Sequence, residues 1–146
     1  MGRPFKFEAV LNQRQYREET ARKIFADAAR ALNCAQATLS AMEDQRAQCR
    51  QVLRRKQHNG GKAMEIILYS RYLGRLEAEI QDQEKSVADL SIEKEDKRRE
   101  LMATLKDRKV IEKLKERHLA ELEREERETE QKMLNDAAIS RYQRKH

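Results

Sequence analysis

Gly60-Gly61-Lys62-Ala63 is the stretch that most resembles a phosphate-binding loop, in which glycine amides cradle an anion and a lysine reaches it. It lacks the first glycine at the required spacing, the Ser or Thr after the lysine, and any preceding strand. The residues read as a plain turn. His58, His118 and His146 stand far apart, with no Cys or carboxylate at ligand spacing, so no metal site and no cofactor are expected. Glu125-Glu126 pairs two acids on a strongly charged segment, where a solvated carboxylate has no reason to act as a general acid. Cys34 and Cys49 would lie roughly 22 Å apart on one helix, too far to bridge, and suit a reducing compartment. Dense positive charge is present at Arg46, Arg50, Arg54, Arg55 and Lys56, which makes this run a candidate patch for an acidic partner. Duplex-reading basic helices lie beside an uninterrupted zipper, and aromatics for base stacking are scarce here, so nucleic acid is not the expected partner.

The elements that carry these residues follow from composition. Charged residues make up 40% of the 146 and hydrophobic ones 38%, with one Pro, four Gly and no Trp. That is too little apolar matter for an ordinary globular core, but the apolar residues recur with helical spacing. An all-α fold follows, without the concave site that catalysis needs, and the protein is expected not to be an enzyme. The net charge of +6 is uneven: residues 1–62 hold 13 Lys/Arg against 6 Asp/Glu, whereas residues 63–90 hold 3 against 6. Nothing resembles a signal peptide or a membrane span, and Lys6 stands where a myristoylation signal wants Ser or Thr.

Asn59-Gly60-Gly61 is the strong break in the helical pattern, and Pro4 marks a helix start. The expectation is a single coiled-coil domain over residues 1–146, with helix one over about 5–57, a turn at 58–62 and helix two over about 63–141. Steps of four and three on helix one visit Phe7, Leu11, Arg14, Glu18, Ala21, Phe25, Ala28, Leu32, Ala35, Leu39, Met42, Arg46, Cys49 and Leu53. Eleven of these fourteen are apolar, which implies a long seam against a partner helix. Helix two continues the pattern at Tyr69, Leu73, Leu76, Ile80, Gln83, Val87 and Leu90. It meets Lys94 and Lys97, then resumes at Leu101, Leu105, Ile111 and Leu114. A short turn makes the helices antiparallel. Folding about Gly60 sets Leu39 near Ile80 and Phe7 near Ile111, and puts Arg14 and Glu18 opposite Leu101 and Leu105, where looser packing is expected. Helix two should then overhang from about residue 116, by roughly 40 Å. The overhang is charged, with Glu123→Arg127 and Glu128→Lys132 at stabilising spacing. The free chain is expected to be a monomer.

Two further surfaces stand out. A seam needs two positions in seven, yet Ile66, Ile67, Leu68, Tyr69, Tyr72 and Leu73 are all apolar or aromatic. Leu68, Tyr72 and Leu76 form an i, i+4, i+8 stripe that slants from the uncovered side towards the seam, a candidate partner site. In the overhang, Met133, Leu134, Ile139 and Tyr142 are the candidate contacts.

The chain resembles the FliJ family of the bacterial flagellar type III export apparatus over nearly its whole length. Phe5-Lys6-Phe7-Glu8-Ala9-Val10-Leu11 with Arg14 is similar to the family's opening. Ile67-Leu68-Tyr69 through Tyr72-Leu73, Leu76 and Ile80 resembles its second-helix start, and Glu130 through Ala138 with Arg141-Tyr142 its tail. Many members carry Asp-Glu where this chain has Asn135-Asp136. The resemblance implies a stalk-like antiparallel coiled coil that binds the export ATPase ring, the export gate and export chaperones. It implies a cytoplasmic protein held peripherally at the inner face of the cell membrane. It also implies gate binding by an aromatic and a Leu matching Tyr72 and Leu76. The residues alone leave open the stalk of an injectisome-type secretion system, a generic coiled-coil scaffold and a nucleic-acid-associated coiled coil.

Overall fold

The computed structural model describes residues 2–145, so His146 lies outside the described residues. Two α-helices make up the fold, α1 (Glu8–His58) and α2 (Ala63–Lys145), with no strand among the described residues. Helix α2 is the longer by 83 residues to 51. The turn between them is a glycine-terminated helix cap. Gly60 adopts a left-handed φ of +73°, and the Gly61 amide donates to the Lys56 carbonyl at 2.8 Å. That six-to-one bond satisfies a carbonyl the helix end would otherwise orphan. Gly61 is required for a second reason: a Cβ there would come within 3.0 Å of the Lys56 Cβ and 3.1 Å of its carbonyl oxygen.

The chain divides into two compact units, Ala21–Leu101 and residues 2–20 with 102–145. In the first, Arg50 pairs with Glu77 at 2.9 Å and the Gln83 amide donates to the Ala35 carbonyl at 3.0 Å. Rising numbers on α1 meet falling numbers on α2, so the two segments pack antiparallel. The buried apolar residues are Leu32, Cys49, Leu76, Ile80 and Leu101. The α1 seam here follows the predicted steps, with Ala21, Phe25, Ala28, Ala35, Leu39, Met42, Arg46 and Leu53 half-buried between them. On α2, Leu73, Gln83, Val87, Leu90, Lys94 and Lys97 complete the same alternation. Long cationic side chains fit such positions by laying their methylene stems along the seam.

In the second unit Leu11 and Ile111 are buried, and so is Glu18 at 7% exposure. Glu18 forms an ion pair with Arg108, which also pairs with Glu112. Hydrogen bonds to Glu112 and then to Glu18 raise the Arg108 guanidinium's affinity for its proton, against the opposing effect of burial. Arg14 donates to the Asp107 carbonyl at 2.8 Å. The region opposite Glu18 is therefore closed by charge pairing. No buried side-chain nitrogen or oxygen among the described residues lacks a partner. The α2 seam passes through Thr104, Arg108, Ile111, Lys115, His118 and Leu122, whereas Leu114 points outward at 37% exposure.

Helix α1 begins three residues later than the expected Phe5, at Glu8, which pairs with Lys115 at 3.0 Å. The preceding residues continue as a non-helical leader along α2. His118 donates through Nε2 to the Arg3 carbonyl at 2.8 Å, and Arg3 pairs with Glu125 at 2.9 Å. Phe5 packs between Phe7 and His118, with ring centroids 6.0 and 5.8 Å away. Phe7, expected in the seam, is 40% exposed because the helix has not yet started there.

Candidate docking surfaces

A helix that gives only part of its circumference to a seam must cover the rest with polar residues or present it to a partner. Near the turn, α2 does the second. Met64, Ile67, Leu68, Tyr69 and Tyr72 are all at least 36% exposed, five large apolar side chains in nine residues. Two of the three predicted stripe residues lie outside, Leu68 at 56% and Tyr72 at 42% exposure. The third, Leu76, is in the core at 3%, since it occupies a seam position. Tyr69 is held in place: the Lys56 ammonium lies 5.2 Å over its ring, and Cys49 Sγ donates to its carbonyl at 3.8 Å. Lys56 in turn pairs with Glu65 at 2.8 Å, and that hydrogen bond raises the ammonium's affinity for its proton.

The cationic run on α1 divides in two. Arg50 and Lys56 are engaged by Glu77 and Glu65 across the hairpin. Arg46 is half-buried in the seam, and Arg54 and Arg55 face solvent without an ion-pair partner among the described residues. The seam and its acidic neighbours thus absorb much of the charge density read from the sequence.

Beyond Leu122 every described residue of α2 is exposed. Met133, Leu134, Ile139 and Tyr142 stand at 68, 65, 56 and 68% exposure. The side-chain pairs on this segment differ from those expected. Glu128 meets Arg124 at 3.9 Å, and the Arg127 guanidinium reaches the Glu123 carbonyl at 3.5 Å instead of its carboxylate. Exposed pairs of this kind are weak and interchange easily.

The leader contact is not legible in the sequence, because six residues without periodicity give no helical or strand signal. The usable signal is Arg3 before Pro4 and Phe5 and Phe7 after it. Among the described residues no three His, Cys, Asp or Glu side chains could hold a metal ion. Among the described residues no helix is long and apolar enough to cross a membrane.

Comparison with known proteins adds one finding. The family described as "Flagellar FliJ protein" matches residues 3–146. No curated protein and no solved structure matches the chain.

Proposed function

Because this chain belongs to the flagellar FliJ family, a non-catalytic component of the flagellar export apparatus, we propose that it docks other export proteins at two separate surfaces. The stripe beginning at Leu68 and Tyr72 binds the export gate, with Leu76 supporting it from the core. The tail bearing Met133, Leu134, Ile139 and Tyr142 binds the ring of the export ATPase, and export chaperones bind along the same protein. The work is done at the cytoplasmic face of the membrane, through peripheral association with the apparatus. The cluster of exposed apolar side chains from Met64 to Tyr72 carries the reading. Aromatic and aliphatic anchors in a compact patch are what an interface core requires, and a helix exposed to water gains nothing from them.

Gate binding is tested with Tyr72→Ala. Truncating an exposed aromatic anchor is expected to weaken binding to the purified gate domain by about tenfold or more, while helicity and melting stay close to the parent's. Leu76→Ala is expected to lower both affinity and melting temperature. Unchanged affinity of the Tyr72 variant refutes the site, and a large melting loss from Tyr72→Ala alone assigns that side chain to the core instead.

For the tail, amide hydrogen exchange separates docking from fraying. Residues beyond Leu122 are expected to exchange fast in the free chain, since every described side chain there is exposed. Slowed exchange around Met133 and Ile139 is expected once the ATPase ring is bound. Identical exchange in a verified complex rules the tail out as the contact.

A further inference from the structure

Gly74 stands in the interior of α2, exposed, and a Cβ added there would meet nothing within 4 Å. Its φ is not left-handed, so the backbone does not need a glycine. An exposed glycine inside a helix weakens that helix relative to alanine. Nothing in the free chain compensates for it. Leu68, Arg71, Arg75 and Ala78 border a shallow groove around this position. Leu68 is 56% exposed, and Arg71 and Arg75, one turn apart, have no ion-pair partner among the described residues. Arginines elsewhere on the same helix, such as Arg98 and Arg108, are paired.

We infer that this groove docks an acidic helix from a partner protein. The small residues Gly74 and Ala78 form a floor low enough for a partner's backbone or a large aliphatic side chain to come close. Leu68 supplies apolar contact at one end. Arg71 and Arg75 lie one turn apart, with Cβ atoms about 6 Å from each other, a spacing suited to carboxylates at i and i+4 on a facing helix. Arg54 and Arg55 on α1, also without an ion-pair partner among the described residues, add positive charge to the same unit. Nucleic acid fits less well, because no aromatic lines the groove to stack a base and two cations make too short a track for a phosphate backbone. Leu68 is shared with the proposed gate stripe, whereas Tyr72 and Leu76 do not line the groove, so the inference rests on Arg71, Gly74, Arg75 and Ala78 and is tested apart from gate binding.

The test uses a synthetic helical peptide with Glu at i and i+4 beside a Leu/Ala stripe, and the same peptide with Gln for Glu. Each is titrated into the isotope-labelled full-length chain and followed by amide shifts. Shifts are expected to be largest at the groove residues Leu68, Arg71, Gly74, Arg75 and Ala78. Arg71→Glu combined with Arg75→Glu is expected to weaken binding by at least about tenfold. Gly74→Gln, which leaves charge unchanged, is expected to weaken it by about tenfold through steric exclusion alone. Gly74→Ala separates docking from folding, since it should raise the melting temperature by a few degrees while weakening the peptide. Unchanged affinity in Gly74→Gln overturns the inference. So does equal binding of the Gln peptide, or shifts spread over Arg54, Arg55 and other exposed cations. Shifts centred on Tyr72 and Leu76, or tighter binding of a DNA duplex to the same residues, overturn it as well.

Discussion

Ile80→Ala is expected to cost about 2–5 kcal/mol, a fall in melting temperature on the order of 10 °C. Ile80 is the most enclosed large side chain described, at 1% exposure. It sits in a core with few other members: Leu32, Cys49, Leu76 and Leu101 are the remaining buried apolar residues of its unit. A hairpin of two helices has no third element to collapse into a cavity, so little of the lost contact is recovered. Circular dichroism melts of this variant beside Leu68→Ala provide the check. Leu68 is 56% exposed, and its truncation should shift stability by only about half a kcal/mol. Equal melting shifts for the two would mean that the seam at Ile80 is not what holds the unit together.

The second large effect is expected at the charged layer. Arg108→Leu removes a cation that pairs with a carboxylate only 7% exposed, and weakening the pairing of a buried charge is unfavourable. Glu18→Leu leaves Arg108 paired with Glu112. Replacing both Glu18 and Arg108 by Leu is expected to restore the parent's stability or exceed it, since desolvating an ion pair offsets much of its attraction. Urea titrations of the three variants measure this directly. A double variant as unstable as Arg108→Leu would show that the position itself, and not the pairing, is what matters. If the double variant regains stability but gives two sets of amide signals, the layer's contribution is register, as polar residues in coiled-coil seams can specify.

Much of this architecture was legible because a heptad spacing and a glycine turn are local signals. The α1 seam from Leu11 to Leu53 follows directly from the four-three alternation. The α2 seam was readable only as far as its residues stayed apolar. Hydrophobicity points to Leu105, which is half-buried beside Thr104, and to Leu114, which is exposed while the strict alternation continues through Lys115. Glu18 and Arg108 are ninety positions apart, and their pairing needs the folded register to bring them together. On the docking surface, the excess of apolar residues over seam positions pointed to Leu68 and Tyr72. The same periodicity places Leu76 in the core. The leader along His118 and Glu125 had no repeat to reveal it, and Gly74 has no visible consequence until the empty space around it is known.

The glycine cap at residues 60–61 also sets the order in which chain entropy is lost. Arg50 and Glu77 are 27 residues apart in sequence, whereas Arg3 and Glu125 are 122 apart. Closing the longer loop from an open chain would cost about 1.3 kcal/mol more than closing the shorter one. Zipping outward from the turn avoids that difference, because each pair brought together shortens the loop left for the next. Contacts beside Gly60 are therefore expected to form first, with both helices propagating from them. The leader closes last and opens first, and a nascent chain cannot begin to pair until α2 has started to emerge.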